Sequence, residues 1–407
     1  MAICKYHMWS PTICEEQAID SYSGFCILHY PDANKDVELF TETLRSSISK
    51  AEKNKKEKDI WIRGVVFPPR FNCLGFEAFG KHVIFVDACF LGEAWFNGVK
   101  FANGVGFSST RFEGPAYFFL EFSNAASSWF ITTVFRESVR FKRAVFPGAE
   151  SKGTVRFEST VFEKPHEVFF ESVDLSKTSF YGTNLLGVHF VDVTWPKVIE
   201  HPWNWLGVHR SAKLIYDDPR IHSKYEDDTY NTESLQNRYQ VAGELYRQLR
   251  INMEQSKQEI EAGDFYIAQM DMRQHDPSLY RLLSRVFLPV YRFVALYGES
   301  ISRPFTLYIL LASLLFAPLY LWGGFGMGDI ADPPYHRTIL QPSAILQDGF
   351  WRDYVHAWFL AITAGLPYSP PNDLLSWFLY PLRYINILVN ILLVSLIAVA
   401  LRRQFKR

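Results

Sequence analysis

The sequence is poor in cysteine and carries almost no excess charge. Its 407 residues include 5 Cys, which is too few for a disulfide framework and favours a reducing, cytosolic setting for most of the chain. Lys and Arg total 42 against 43 Asp and Glu, so the chain as a whole resembles neither a basic nucleic-acid binder nor an acidic mimic of DNA. No His, Ser or carboxylate set forms a recognisable catalytic arrangement, and we expect no enzyme activity.

Phenylalanine, in contrast, is abundant and periodic. The chain has 35 Phe, most of them between residues 65 and 195, where large apolar residues recur at steps of five or six. The cleanest run is Phe170, Leu175, Phe180, Leu185, Phe190 and Trp195. Two positions before each large residue, the side chain is usually small or β-branched, as at Val83, Thr110 and Ala144.

This period matches neither the 3.6 residues of an α-helix nor the two-residue alternation of a strand. It indicates a chain that turns a corner after every five residues and points one large and one small side chain inward from each side. Successive coils would pair as parallel strands about 4.8 Å apart. The alternative, a sandwich of short strands, needs an alternation of period two that is missing here.

The repeats resemble the pentapeptide-repeat family in its Phe-centred form. The resemblance implies a right-handed quadrilateral β-helix over residues 65–196, with about 20 residues in each coil and about six coils. Solenoids of this kind serve as binding surfaces or rigid spacers, so the resemblance gives a fold and leaves the function open.

The N-terminal segment, residues 1–35, contains several potential metal ligands. Cys26 and His29 form a C-x-x-H pair, a spacing that places two ligands on one tight turn. Because zinc takes four such ligands in a closed structural site, we predict that Cys4, Cys14, Cys26 and His29 bind a structural zinc ion, with His7 as a competing ligand. The alternative is that these cysteines are small, buried apolar residues.

Two helical regions flank the repeats. Residues 36–64 are predicted to form a helix that continues into a charged linker. Residues 197–298 are predicted to be a helical connector, because apolar residues at steps of three and four indicate two amphipathic helices near 235–253 and 258–275. They should form a hairpin that packs on the end of the solenoid or on sister subunits. Residues 245–249 and 262–266 resemble a connector found in pentapeptide-repeat proteins that carry a membrane module.

Two uncharged stretches, residues 304–328 and 384–401, are long enough to cross a bilayer. The alternative for each is a buried core helix. Arg281, Arg285, Arg292 and Arg303 precede the first stretch and a basic terminus follows the second, so the positive-inside rule predicts that both termini are cytoplasmic. The expected location is a cell membrane, and the resemblance points to a bacterial inner membrane.

Between these stretches lies an apolar piece, residues 354–362, that is too short to cross a membrane. Span, re-entrant helix, small-residue loop and span is the order of the potassium-channel pore domain, which residues 299–407 resemble. In that family the loop reads Thr-x-Gly-Tyr-Gly and its carbonyl groups replace the hydration shell of the ion. The alternative for this piece is a surface helix followed by a Pro-rich turn outside the membrane.

The predicted selectivity filter is Thr363, Ala364, Gly365, Leu366 and Pro367. The first three match the family pattern and the last two depart from it, so the resemblance implies a weakly selective pore for a monovalent cation such as K⁺ or Na⁺. Asn386 and Asn390 share one face of the second stretch, where they either line the pore or bond to neighbouring helices.

These features predict a cation channel in a lipid membrane. A single span–helix–span unit cannot enclose a pore, so we expect a homo-oligomer, and the channel resemblance suggests a homotetramer. The cytosolic solenoid would sense a ligand or protein partner and gate the pore, with no nucleic acid involved. The alternative function is a membrane-anchored pentapeptide-repeat scaffold that conducts no ions.

Overall fold

The computed structural model describes residues 4, 6, 23–69, 71–72, 78–123, 125–199, 211–222, 235–275, 283–323, 350–366 and 379–406. The chain forms two compact units, Met1–Asp276 and Pro277–Arg407. The predicted zinc ligand Cys14, its competitor His7 and the predicted filter residue Pro367 lie outside the described residues.

The first unit contains a β-solenoid of about 5 turns, as the repeat pattern predicts. Its strands are β1 (Asp59–Arg63), β2 (Val66–Phe67), β3 (Phe71–Asn72), β4 (Ala78–Phe79), β5 (His82–Val86), β6 (Cys89–Phe90), β7 (Ala94–Trp95), β8 (Lys100–Phe101), β9 (Val105–Ser108), β10 (Arg111–Phe112), β11 (Ala116–Phe118), β12 (Ser128–Ile131), β13 (Val134–Phe135), β14 (Val139–Lys142), β15 (Val155–Arg156), β16 (Val161–Phe162), β17 (Val168–Glu171), β18 (Thr178–Ser179) and β19 (His189–Val191). Beyond them, β20 (Lys197–Ile199) and β21 (Ser211–Lys213) pair antiparallel.

Parallel sheets run along the solenoid, and each strand pairs with the equivalent strand of the next coil. One sheet has the order β1-β5-β9-β12-β15-β18. In it Phe85 pairs with Phe107, 22 positions later, and Phe107 pairs with Phe130, 23 positions later. A coil is therefore longer than the predicted 20 residues, because steps of five alternate with steps of six. The predicted count of six coils is correspondingly too high.

Most of the large inward-facing residues in the described part of the solenoid stack into three aromatic columns, and Phe79 and Phe101 form a further stacked pair. Ring centroids of neighbours within a column lie 4.2 to 5.5 Å apart, and the rings are nearly parallel. The columns are Phe67-Phe90-Phe112-Phe135-Phe162, Phe85-Phe107-Phe130-Phe157-Phe180 and Phe96-Phe118-Phe141-Phe170-Phe190. Each stacked pair contributes about 0.5–1.5 kcal/mol beyond its burial. The columns form the core of the solenoid.

The small inward positions are also buried, and some carry hydroxyl groups that bond between coils. The hydroxyl groups of Thr133 and Thr160 donate to the carbonyl oxygens of Phe107 and Phe130, one coil earlier. One corner of each coil is a residue in the left-handed region, with φ between 49° and 69°. This corner column is Gly64, Asp87, Ser109, Thr132, Ser159 and Gly182. Glycine and short unbranched polar residues such as Asp and Ser tolerate this conformation better than bulky residues do, and Thr132 is the β-branched exception in the column.

Helices cover both ends of the solenoid. Near its beginning lies α1 (Val37–Lys53), which Asp36 caps by accepting hydrogen bonds from the backbone N–H groups of Glu38 and Leu39. Phe40 of α1 packs edge-on against Phe67 of the first aromatic column.

At the other end, the short α2 (Pro219–His222) is followed by the hairpin of α3 (Leu235–Gln255) and α4 (Glu259–Arg273). The side-chain oxygen of Gln248 accepts a hydrogen bond from Leu185 N at 2.7 Å, and Asn252 bonds both Gly187 N and Leu185 O. The hairpin thus packs on the solenoid end and satisfies backbone groups that an open edge would leave unpaired.

The second unit is helical in its described part. It contains α5 (Leu288–Ala295), α6 (Ser302–Gly323), α7 (Phe350–Thr363) and α8 (Tyr380–Lys406). A π-helical turn, Ala312–Phe316, interrupts α6. Two segments, Ser302–Gly323 and Tyr380–Arg403, are long and apolar enough to cross a membrane, in agreement with the two stretches that the sequence indicates.

Candidate functional site

The short helix α7 lies against α6 and is too short to cross a bilayer. Its 14 residues rise about 21 Å, against the roughly 30 Å of a hydrocarbon core. Ala357, Leu360 and Ala361 of α7 are buried in one apolar cluster with Ala317 and Leu321 of α6. The apolar face of α7 is thus covered by a candidate membrane span.

Polar side chains fix α7 to the π-helical turn of α6. Tyr354 donates its hydroxyl hydrogen to the carbonyl oxygen of Ser313 at 2.6 Å, and Trp358 Nε1 donates to Ser313 Oγ at 2.8 Å. Nearer the start of α6, the hydroxyl of Tyr308 donates to the carbonyl oxygen of Ile362. Tyr308, which is earlier in α6 than Ser313, contacts Ile362, which is later in α7 than Tyr354. The helix α7 is therefore antiparallel to α6 along this contact.

Two asparagines of α8 reach the carboxyl end of α7. Asn390 Nδ2 lies 2.8 Å from Ala361 O and 2.9 Å from Ala364 O. Asn386 Nδ2 lies 3.1 Å from Ala361 O and 2.9 Å from the hydroxyl of Tyr320. The last carbonyl groups of a helix have no partner inside it, and these amides supply donors. Asn386 is 0% exposed and Asn390 is 4% exposed.

The contact with Asn390 defines the position of the carboxyl end of α7 along α8, the second candidate span. Asn390 lies about 15 Å along α8 from Tyr380, at 1.5 Å per residue. The segment Tyr380–Arg403 extends a further distance of about 20 Å beyond it. The carboxyl end of α7 therefore faces the middle part of the span, and neither of its ends.

The described residues of the predicted filter form a turn at this carboxyl end. Thr363 is the last residue of α7, and its hydroxyl donates to Phe359 O at 2.7 Å. The N–H of Leu366 donates to Thr363 O at 2.9 Å, which closes the turn. Gly365 has a φ of 84°, and a Cβ placed there would lie 3.2 Å from Ile387 of α8. The turn is thus fitted closely against the second candidate span.

Several residues of this region are not among the sequence-based candidates. Ser313, Tyr308 and Tyr320 are polar residues within a long apolar stretch, which is a signal that often marks internal contacts of a membrane domain. Only Asn386 and Asn390 were predicted from that signal. Their role as pore-lining residues stays a prediction, since the contacts described above correspond to the alternative of bonding to a neighbouring helix.

In the first unit, the structure brings three of the four predicted zinc ligands together. The Nδ1 atom of His29 lies 3.6 Å from Cys4 Sγ and 3.1 Å from Cys26 Sγ. The three ligand atoms lie within 4.8 Å of one another, and all three residues are buried. Cys4, Cys26 and His29 are called the Cys/His cluster below.

A buried lysine supports the chain around the Cys/His cluster. Lys35 is 4% exposed, and its ammonium group donates to the carbonyl oxygens of Ile27 at 3.0 Å, of Tyr30 at 3.1 Å, and of Val66. Burial lowers the pKa of Lys35 to about 8. The ammonium group thereby joins the turn that carries Cys26 and His29 to the first coil of the solenoid.

Comparison with protein-family models, with curated proteins and with solved structures finds no match for this chain. The structure itself defines the class of protein as a β-solenoid followed by helices, two of which are long and apolar enough to span a membrane.

Proposed function

We propose that the protein is a cation channel whose cytosolic solenoid gates an oligomeric pore. In this proposal α6 and α8 cross a bacterial inner membrane, both termini are cytoplasmic, and α7 is a re-entrant pore helix. The solenoid is a right-handed quadrilateral β-helix of the pentapeptide-repeat type, and it senses a cytosolic ligand or protein partner.

One observation carries this proposal: the carboxyl end of a helix too short to cross the membrane faces the middle of α8. If α7 were a surface helix outside the membrane, its last carbonyl groups would be expected near one end of α8 and not near its middle. Non-helical backbone at membrane depth is tolerated where protein surrounds it or where it borders a water-filled cavity. Asn386 and Asn390 supply the surrounding protein groups on one side of the turn.

The direction of α7 favours a cation at its end. A helix carries a partial negative charge at its carboxyl terminus, and α7 directs this end toward the proposed centre of the membrane. The filter would comprise Thr363, Ala364, Gly365, Leu366 and Pro367. Because the last two differ from the potassium-channel pattern, the proposed pore selects weakly among monovalent cations such as K⁺ and Na⁺.

The same geometry supports an oligomer. One span–helix–span unit can border a water path on one side only and cannot surround it. A pore therefore requires several copies around an axis, and the resemblance to potassium channels points to four. The binding of four copies would also surround the turn at residues 363–366 with protein.

A second candidate function is a membrane-anchored scaffold that does not conduct. One observation favours it: the carbonyl oxygens of Ala361, Thr363 and Ala364 each already accept a hydrogen bond from within the chain. Carbonyl groups that coordinate an ion must face the ion path. In a scaffold, α7 and its turn would only strengthen the membrane anchor.

The first experiment is the subunit count of the full-length protein purified in detergent, measured by native mass spectrometry. This measurement does not require the gating stimulus to be known. A stable tetramer is the expected result. A stable monomer or dimer would overturn the proposed pore and leave the scaffold as the function.

Flux of K⁺ and Na⁺ through vesicles that contain the purified protein then tests the filter. Thr363→Ala and Gly365→Ala should abolish or alter the flux, because one changes the last residue of α7 and the other strains the turn against Ile387. Phe359→Leu is the matched control, since Phe359 lies on the exposed side of α7. If both filter variants conduct like the unmutated protein, the filter assignment is wrong.

A further inference from the structure

The geometry points to a structural zinc site in the Cys/His cluster, at the N-terminal end of the solenoid. Cys4, Cys26 and His29 are its ligands in the described part of the chain. The zinc site does not depend on ion conduction, because the Cys/His cluster belongs to the first unit and the proposed pore belongs to the second.

The ligand atoms lie near the spacing of a tetrahedral zinc site. With zinc–sulfur bonds of about 2.3 Å and zinc–nitrogen bonds of about 2.0 Å, neighbouring ligand atoms lie roughly 3.5–3.8 Å apart. The distance from Cys4 Sγ to His29 Nδ1 is 3.6 Å, and that from Cys26 Sγ to His29 Nδ1 is 3.1 Å. All three ligand atoms lie within 4.8 Å of one another, so shifts of up to about 1 Å would bring them to the spacing around a bound ion.

The imidazole of His29 is already oriented for metal binding through Nδ1. Its other nitrogen, Nε2, lies 2.9 Å from the carbonyl oxygen of Arg63, to which it donates when Nδ1 is free to bind a metal. Ligand histidines almost always make such a second bond, which fixes the tautomer and the ring orientation. The ring of Tyr6 stacks on the imidazole with centroids 4.2 Å apart and holds its plane.

The sulfur of Cys4 also accepts a hydrogen bond from a backbone group. Cys26 N lies 3.2 Å from Cys4 Sγ, and a donor of this kind stabilises the thiolate that zinc requires. The backbone around Cys26 and His29 forms a tight turn, in which His29 N and Tyr30 N both donate to Cys26 O. This turn brings the two ligands of the C-x-x-H pair to the same side.

Neither a purely apolar role nor a disulfide accounts for the Cys/His cluster as well as zinc does. Cysteines that served only as small apolar residues would not need a histidine nitrogen pointing at both sulfur atoms. A disulfide between Cys4 and Cys26 would leave Nδ1 of His29 buried beside sulfur without a ligand. Zinc binding uses all three groups at once.

The proposed ion would fix the N-terminal segment to the first coil. The carbonyl oxygen of Arg63 belongs to β1, and Leu28 O accepts a hydrogen bond from Val66 N. The turn that carries Cys26 and His29 is therefore hydrogen-bonded to both β1 and β2 of the first coil. A segment this short has little core of its own, and binding of zinc supplies the folding free energy that a core would otherwise provide.

The test measures the zinc content of the full-length protein in detergent, purified with a tag that contains no histidine. We expect about one zinc ion per chain by elemental mass spectrometry. Cys26→Ser and His29→Gln should each reduce the zinc content at least tenfold. Cys89→Ser is the matched control, because Cys89 is also buried but lies outside the Cys/His cluster. It should retain the full zinc content.

A second measurement separates metal binding from a general loss of folding. Replacement of zinc by cobalt in the unmutated protein should give an absorption band from charge transfer between thiolate and metal. Removal of the metal by a chelator should lower the midpoint of thermal unfolding of the solenoid. A zinc-free unmutated protein would overturn the site, and so would a Cys26→Ser variant that retains as much zinc as Cys89→Ser.

Discussion

Arg403 and Glu299 form an ion pair although they lie 104 positions apart in the sequence, with Arg403 Nη1 3.2 Å from Glu299 Oε1. The same guanidinium nitrogen donates to Tyr297 O at 3.0 Å. Tyr297 belongs to three successive residues in the left-handed region, Leu296, Tyr297 and Gly298. The contact joins the segment just before α6 to the last turns of α8, so the end of one candidate span is tied to the beginning of the other.

Removal of either charge should weaken the second unit through this pair. Glu299→Gln and Arg403→Gln should each lower the free energy of unfolding by roughly 1–2 kcal/mol, and the double variant should lose little more than the worse single variant. The measurement is denaturant unfolding of the full-length protein in detergent. Arg402→Gln, at an exposed neighbouring position, is the control. Fully additive losses would show that the two residues do not interact.

Asn390 should act by positioning the end of α7. Asn390→Leu removes its hydrogen bonds to Ala361 O and Ala364 O, although Asn386 still donates to Ala361 O. The change should cost about 1 kcal/mol, the usual scale of hydrogen bonds between membrane helices. Leu388→Val, on the exposed side of α8, should cost less. Asn390→Cys separates the two roles: rapid reaction with a charged thiol reagent would support the predicted pore-lining role, and protection would support a contact between helices alone.

The aromatic columns should be sensitive to the loss of a single ring. Phe112 is fully buried and stacks between Phe90 and Phe135, with centroids 4.6 and 4.7 Å away. Phe112→Ala should destabilise the solenoid by about 3–5 kcal/mol. Val161→Ala, at an exposed strand position, is the control and should change stability by less than about 0.5 kcal/mol. Thermal unfolding followed by circular dichroism measures both, and equal effects would contradict the role of the columns.

Asp217 should make the stability of the solenoid depend on pH. Burial raises the pKa of Asp217 to about 6, although Ser179 and Phe180 N donate to its carboxylate. The folded state thus holds a proton more tightly than the unfolded state does, so stability falls as pH rises from about 4 to about 6. The fall attributable to this group is about 3 kcal/mol, from 1.36 kcal/mol per pH unit.

Asp217→Asn should remove that dependence, since an amide bears no charge at any of these pH values. Asp87→Asn, at an exposed corner of the solenoid, is the control and should keep it. The measurement is the unfolding midpoint of the purified protein between pH 4 and pH 7. An unchanged slope in Asp217→Asn would show that another group titrates.

The sequence predicts the core of the solenoid well, because residue size alone carries the pattern. A large residue at every fifth or sixth position, such as Phe107 or Phe112, can be buried in every coil only if the chain turns corners at the same rate. The length of a coil was harder to predict. The coil length depends on how five- and six-residue steps combine, and no single residue type marks a six-residue step.

The contacts of the candidate sites were predictable only in part. The spacing of Cys26 and His29 is visible in the sequence, but the carbonyl oxygen of Arg63 is a backbone atom that any residue would provide. Likewise, Asn386 and Asn390 stand out in an apolar stretch, whereas the direction of their amides depends on where α7 ends. Such long-range partners follow from tertiary packing, which a single sequence does not encode in a local pattern.

Because the columns stack one ring per coil, the length of the solenoid can change only by whole coils. One more coil would add one ring to each column and move the two ends about 4.8 Å further apart. Extra residues at a corner do not change that distance, as the loop between β14 and β15 shows: there Ser128 pairs with Val155, 27 positions later, in the same sheet. The distance between the Cys/His cluster and the α3–α4 hairpin can therefore change only in whole steps, whatever number of residues is inserted.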